Sequence, residues 1–337
     1  MSGRADRARS TTPLLIGLGL ITAVAFCGSL LIGPAAIGLK ESLDALTGGE
    51  AVTSLIILQE VRLPRAVLGL TIGATLGLSG AVLQGFLRNP LAEPGIVGVS
   101  GFASLGAVLT FYSGLAGLFT LALPLGGIAG AFLAVVLLQT LAGRNASPLT
   151  LILAGVALSA FASALTSLAL NLAPNPFAAL EIVFWLLGSL ADRSLVHVWM
   201  ALPFMALGWL VLGTLGRPLD ALTLGEDAAR SLGHDLKSVQ TRIVLGTALS
   251  VGAATAVAGA IGFVGLVVPH LMRPLVGHKP SALLPASALA GAVLLLAADI
   301  SVRLFAPDRE LKLGVLTALV GAPFFLVLVL RMRRQAA

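Results

Sequence analysis

Residues 217–240, RPLDALTLGEDAARSLGHDLKSVQ, form the longest polar interval in a chain that is otherwise nearly continuous apolar sequence. Asp220, Glu226, Asp227, Arg230, Asp235 and Lys237 all fall within it. Its order is local. Gly225 breaks the chain, Glu226 and Asp227 place negative charge where a helix would begin, Arg230 falls in the last turn, and Gly233 follows as a stop. The pattern predicts a short surface helix, offered to water or to another protein. A plain solvated loop between two membrane helices is the competing reading.

Outward from that interval, composition decides the class. With 57% hydrophobic and 11% charged residues, and a mean hydropathy of +1.01, 337 residues lack the polar surface to cover a water-soluble globule. An all-α polytopic membrane protein is predicted. The net charge of +6 does not indicate nucleic acid, because the positive residues lie at the ends of apolar runs instead of forming a patch. One cysteine, Cys27, excludes an internal disulfide and a cysteine-cluster metal site. His197, His234, His270 and His278 lack metal-ligand spacing, so no metal site is expected, and His270 reads as a polar helix-end residue. Arg4, Arg7 and Arg9 precede an apolar run too long for a cleaved signal peptide, and Phe26 does not suit a lipoprotein signal before Cys27. An uncleaved first span is expected.

A span needs about 20 apolar residues. Cutting the uncharged runs accordingly gives about ten transmembrane helices: 13–39, 64–86, two within 94–143 divided near Tyr112-Ser113-Gly114, 148–172, 194–215, 242–258, a short one at 262–276, 283–298 and 313–330. A break from Asn171 to Pro176 leads into an interfacial helix, 177–190, with Trp185 at headgroup depth. The whole of 1–337 reads as one transmembrane domain. Ten spans put both termini on one side; with the termini inside, fourteen of the 21 Lys and Arg residues fall inside and seven outside, which also places 217–240 inside.

The chain repeats a pattern. From Arg65 it runs Arg-x-Val-Leu-Gly69, Gly73-Ala, Gly80-Ala and Pro90; from Arg242 it runs Arg-x-Val-Leu-Gly246, Gly252-Ala, Gly259-Ala and Pro269. The two copies enter the membrane from opposite sides, and such an inverted repeat supplies two related conformations open to opposite faces. Gly69, Gly73 and Gly77, at every fourth position, permit close helix packing.

Arg62-Leu-Pro-Arg65, Ser79-Gly-Ala-Val-Leu-Gln84, Arg88-Asn-Pro-Leu-Ala-Glu-Pro94, Leu224-Gly-Glu226, Gly262-Phe-Val-Gly-Leu-Val-Val-Pro-His270 and Gly321-Ala-Pro-Phe324 occur in this order. Together they resemble the FecCD-type permeases, the membrane subunits of bacterial ABC importers for iron siderophores, haem and cobalamin. The chain is similar to the cobalamin and haem importer permeases from about residue 61 to 330. The resemblance implies ten helices per subunit, a homodimer, two ATPase subunits below and a periplasmic substrate-binding protein above. It implies the inner membrane, with lipid around the subunit and both termini cytoplasmic; no nucleic-acid partner is expected.

The residues agree with a transporter that takes its energy from a partner. No Gly-x-x-x-x-Gly-Lys-Ser/Thr phosphate loop occurs. Glu60, Glu93, Asp299 and Glu310 fall near the ends of expected helices, where an ion relay would want acids at mid-membrane. No catalytic residue and no cofactor are expected in this chain, with ATP and magnesium in the partner ATPase. The alternative is an ion-coupled secondary transporter working without partners.

By resemblance, Leu224, Gly225, Glu226, Ala229 and Gly233 form the segment that couples to the ATPase. Arg62, Arg65 and Arg303 lie on the outer side against the positive-inside tendency. They are either snorkelling anchors or, as the resemblance implies, docking residues for glutamates on the two lobes of the binding protein, held by forked hydrogen bonds. Charge reversal at Arg65 is expected to lower transport and complex formation without lowering membrane expression. Asp299 and Arg303, four apart, are expected to pair structurally. The implied translocation pathway includes Ser159, Ser163 and Thr166 on the fifth helix and Thr317 and Gly321 on the tenth. The implied gate is the turn 145–150, where Pro148 gives an unusual register. Lys312 stands where the family commonly has Pro.

Overall fold

The computed structural model describes residues 11–33, 52–119, 121–143, 147–173, 175–305 and 311–336. Arg4, Arg7 and Arg9, the far end of the first expected span, Asn145 in the expected gate turn, and Arg309 with Glu310 lie outside the described residues. The described chain is helical, with no strand among these residues.

Helix α1 is Thr12–Leu31 and α2 is Leu63–Leu87. A five-residue helical lead-in, Val52–Ile56, and a π-helical turn, Ile57–Arg62, run straight into α2, so this helix extends back past the start expected at Pro64. Pro64 has no N–H to donate to a carbonyl one turn back, which ordinarily breaks a helix. Here the wider turn absorbs the defect, with the Leu63 N–H reaching the Leu58 carbonyl five residues back. A 3₁₀ turn, Pro94–Val97, leads to α3, Val99–Tyr112, then α4, Ala122–Ala142, α5, Pro148–Asn171, and α6, Pro176–Leu186. Next come α7, Leu195–Gly213, and two short helices in the polar interval, α8, Gly216–Leu222, and α9, Glu226–Ser231. The chain ends with α10, Leu236–Ala258, α11, Val264–Met272, α12, Pro280–Phe305, and α13, Leu313–Ala336.

Among the described residues seven helices are long and apolar enough to cross a membrane: α1, α2 with its lead-in, α4, α5, α7, α10 and α12. Helices α3, α6 and the apolar part of α13 are shorter. Two expectations change. The interfacial helix stops at Leu186, because Gly188 takes a left-handed φ of 71° and turns the chain toward the end of α10. The span expected at 262–276 is the nine-residue α11, roughly 13 Å long at 1.5 Å per residue and too short to cross. It is preceded by non-helical residues 259–263, with Gly259 at φ 73° and Phe263 at φ 67°.

Helix α2 is the axis of the bundle, buried on nearly every side, as an all-round apolar helix should be. It packs on α12 backbone to backbone. A Cβ on Gly73 would run into the Gly291 carbonyl, one on Gly77 into the Ser287 carbonyl, and one on Gly291 into the Gly73 carbonyl. The glycines at every fourth position serve helix packing. On another side of α2, Trp209 of α7 donates its indole N–H to Thr75 Oγ1 at 2.8 Å.

Candidate functional site

Three groups of polar residues stand out, one at each end of the α2–α12 pair and one deep between them. At the first end, Asp299 of α12 is 1% exposed and holds two arginines. Arg65 Nη2 lies 2.8 Å from Oδ1 and its Nε donates to the same carboxylate at 2.9 and 3.1 Å; Arg303 Nη2 lies 2.9 Å from Oδ2. The expected Asp299–Arg303 pair is present, and Arg65, from a different helix, completes it. Arg62 and Arg303 also reach the end of α1. Arg62 donates to the Leu30 and Leu31 carbonyls at 3.0 and 2.9 Å, and Arg303 to the Ser29 carbonyl at 2.8 Å, the Ser29 hydroxyl at 2.6 Å and the Ile32 carbonyl. The last carbonyls of a helix have no partner within it, and these two guanidiniums supply one. Arg62 and Arg303 are consequently 3% and 6% exposed, whereas the Arg65 side chain keeps 16%.

The central group forms where the short helix α11 meets α2. The carbonyl of Gly265 occupies the space a Cβ on Gly80 would need, and a Cβ on Gly265 would stand 3.0 Å from the Leu76 carbonyl and 2.8 Å from Pro94. Gly80 and Leu76 lie seven and eleven residues before the end of α2, or roughly 10–16 Å at 1.5 Å per residue, about half a membrane deep. The start of α11 is therefore inside the bundle. Buried Glu93 lies near the backbone N–H of Phe263 there, beside the positive end of a short helix. Two of the expected pathway residues meet this junction: Ser159 donates to the Gly95 carbonyl at 3.1 Å, and Gly321 gives Phe263 the space for its side chain. Thr317 is buried and bonds back to the Gly314 carbonyl. Ser163 is exposed and Thr166 half-buried, one and two turns along α5 from Ser159. Gln84 ties the two ends of α11 together: it donates to the Gly265 and Leu266 carbonyls of the first turn and accepts from Arg273 Nη2, just past the last, at 2.8 Å. His270 packs edge-on against Phe324, with ring centres 5.8 Å apart.

The third group is the polar interval itself. In α8, Pro218, Leu219, Ala221 and Leu222 are buried against the bundle, so this helix is a foot. Helix α9 projects from it. Gly225 has φ 112° and Gly233 φ 84°, backbone that L side chains rarely adopt, and these two residues set the limits of the helix. His234 N–H bonds to the Ala229 carbonyl and Gly233 N–H to the Arg230 carbonyl, closing its end. Arg230 ties back to Glu226 and Asp227 at 3.2 and 3.4 Å. Ala229 is fully buried beneath it, whereas Leu224 and Leu232 at its two ends are 71% and 61% exposed. The five coupling residues expected from the sequence thus form one stiff stub with an apolar knob at each end. At the gate turn, Ser147 accepts from the Thr150 N–H at 3.1 Å and caps α5.

Sequence reasoning missed Asp220. Its Oδ1 accepts the Ser281 N–H at 2.8 Å, so a side chain of α8 caps the first turn of α12. Asp220 stands 61 residues from its partner, and no local pattern announces the pair.

A family model described as the FecCD transport family matches residues 21–331. The chain is 42% identical over 285 residues to the uncharacterized ABC transporter permease protein YvrB of Bacillus subtilis strain 168, covering 82% of this chain and 80% of that protein. It is 39% identical over 332 residues to the vitamin B12 import system permease protein BtuC of Salmonella paratyphi A, covering 98% of each. A solved structure described as the inward-facing conformation of a metal-chelate type ABC transporter superposes with a TM-score of 0.81 at 36% identity, covering 95% of this chain and 99% of that one.

Proposed function

This chain belongs to the FecCD transport family, and from that membership we propose that it moves a metal chelate (an iron siderophore, haem or cobalamin) across the bacterial inner membrane by ATP-driven alternating access. It is an ABC importer permease, a transport subunit. We place two copies of it with two ATPase subunits, which carry ATP and magnesium, and a periplasmic substrate-binding protein. Both termini and α9 face the cytoplasm, and 1–337 acts as one permease domain. The observation that carries this reading is α9, a short, internally tied helix that presents Leu224 and Leu232 outward from a buried foot. A stiff stub of this kind transmits a displacement that a floppy loop would absorb.

The docking face is assigned to Arg65, Arg62 and Arg303. Arg65 offers part of its fork outward, while Arg62 and Arg303 have to leave the carbonyls of α1 to reach a partner. Arg65→Lys keeps a positive charge beside Asp299 but gives up the fork. It is expected to weaken capture of the binding protein by permease in nanodiscs by about tenfold, with membrane expression unchanged; equal affinity would remove Arg65 from the docking face. Reversal to glutamate is the less clean test, because it sets a second carboxylate against buried Asp299 and so also perturbs folding. The pathway is assigned to Ser159, Ser163, Thr166, Thr317 and Gly321, around the junction of Glu93 and Phe263.

Glu93 supports a second reading, ion-coupled transport, because it places an ionisable group deep in the bundle. Uptake into proteoliposomes separates the two. Permease with its ATPase and binding protein is offered ferric siderophore, haem or cobalamin, with and without ATP. ATP-dependent entry of one compound is expected. Entry driven by a proton or sodium gradient without the ATPase would replace the reading.

A further inference from the structure

Helices α2 and α12 link the two ends of the bundle. At one end α8 touches both: Leu219 packs where a Cβ on Gly85 of α2 would meet it at 3.5 Å, and Asp220 caps α12 through Ser281. Gly216 of α8 lies against the same serine, with 3.2 Å between a Cβ built on it and that of Ser281. At the other end Arg65 of α2 and Asp299 of α12 are bound to each other. Between the ends, Gly73, Gly77 and Gly291 bring the two backbones into direct contact, so the pair is closely packed along its middle. Ser281 and Asp299 are 18 residues apart on one continuous helix, roughly 27 Å at 1.5 Å per residue, nearly the thickness of the hydrocarbon core.

We propose that Asp220 is the positioning residue through which movement of α9 enters the membrane, and that the α2–α12 pair carries it as one body to the arginine cluster around Asp299. The foot α8 grips α12 directly, through this carboxylate. The side chain holds the first turn of α12 at a fixed height over α8, so a push on α9 tilts or shifts the pair instead of bending the connection. Helix α5 and the Gly321 face of α13 stand outside this pair, which lets the assigned pathway change width as the pair moves. The inference rests on the importer reading of the preceding subsection.

The test uses the assembled transporter in proteoliposomes, with the ATP hydrolysis rate measured with and without its binding protein. Asp220→Ala is expected to assemble with the ATPase and keep basal hydrolysis, but to lose stimulation by the binding protein by about fivefold or more, with Asp220→Asn intermediate. Stimulation within about twofold of the parent protein would overturn the proposal. If the parent itself retains no ATPase on purification, the importer reading fails and takes the proposal with it; loss of assembly confined to Asp220→Ala leaves that reading intact and shifts the test to a cross-link. In a Cys27→Ser, Asp220→Asn background, Gly216→Cys with Ser281→Cys brings two Cβ atoms close to the roughly 3.5–4.5 Å of a disulfide. Oxidation is expected to restore the lost stimulation and reduction to remove it, in the same sample. Equal stimulation in both states would overturn the proposal.

Discussion

Asp299→Ala is expected to destabilise the solubilised permease by about 3–5 kcal/mol, the usual result of removing one partner from a buried ion cluster. One carboxylate holds Arg65 and Arg303, and Arg303 together with Arg62 finishes the end of α1. Without it, positive charges remain at a site where Arg303 is only 6% exposed. The loss should spread to α1, whose last carbonyls depend on guanidiniums that would then turn toward solvent. Asp299→Glu keeps the charge and moves it by one methylene, so it should lose less. Thermal unfolding followed by tryptophan fluorescence, together with protease sensitivity beyond Leu31, reads both effects. An alanine variant that melts with the parent protein would show that the cluster contributes nothing net, as some buried ion pairs do.

The second large effect is expected at Gly80. Its missing side chain is the space filled by the Gly265 carbonyl, so even Gly80→Ala must push α11 away from α2. Overpacking a tight contact typically costs about 1–3 kcal/mol, and here the displaced backbone also carries Phe263, Glu93's neighbour and the wall of Gly321. Uptake should fall below detection with Gly80→Val while membrane insertion persists. Gly85→Ala supplies the comparison, because its Cβ would meet only the Leu219 side chain, at an ordinary 3.5 Å. If Gly80→Ala and Gly85→Ala behave alike in melting and in uptake, the close crossing of α2 and α11 carries no functional weight.

Much of this was legible in the sequence, and where it was not, the reasons are physical. Helix α9 could be read from residues 225–233 alone, because acid, base and glycine each act on the turn they occupy. Close packing of α2 announced itself through Gly69, Gly73 and Gly77, since small residues at a spacing of four leave one helix face bare; that α12 fills it belongs to tertiary structure. The start of α2 was misplaced because proline ordinarily begins a helix, and a π-helical turn ahead of Pro64 has no sequence signature. Helix α11 looked like a span because apolar residues continue through 262–276; its shortness depends on the left-handed turns at Gly259 and Phe263, and for Phe263 no rule gives warning. The pairing of Arg65 with Asp299 joins residues 234 apart and belongs to tertiary structure alone. The same holds for the caps that Arg62 and Arg303 place on α1, contacts made 32 and 274 residues away in sequence.

The brevity of α11 bears on how the protein is made. A nine-residue helix cannot enter a bilayer by its own hydrophobicity, and the unwound residues before it carry backbone groups that lipid cannot satisfy. Part of their shelter comes from earlier in the chain, where Gly188 packs so closely on the Ala260 carbonyl that a Cβ would stand 2.5 Å from it. Part comes from later, from Gly314 at the start of α13, where a Cβ would stand 2.8 Å from the same Ala260 carbonyl. The middle of the bundle therefore closes only when the start of α13 has left the ribosome, and biogenesis completes the centre last.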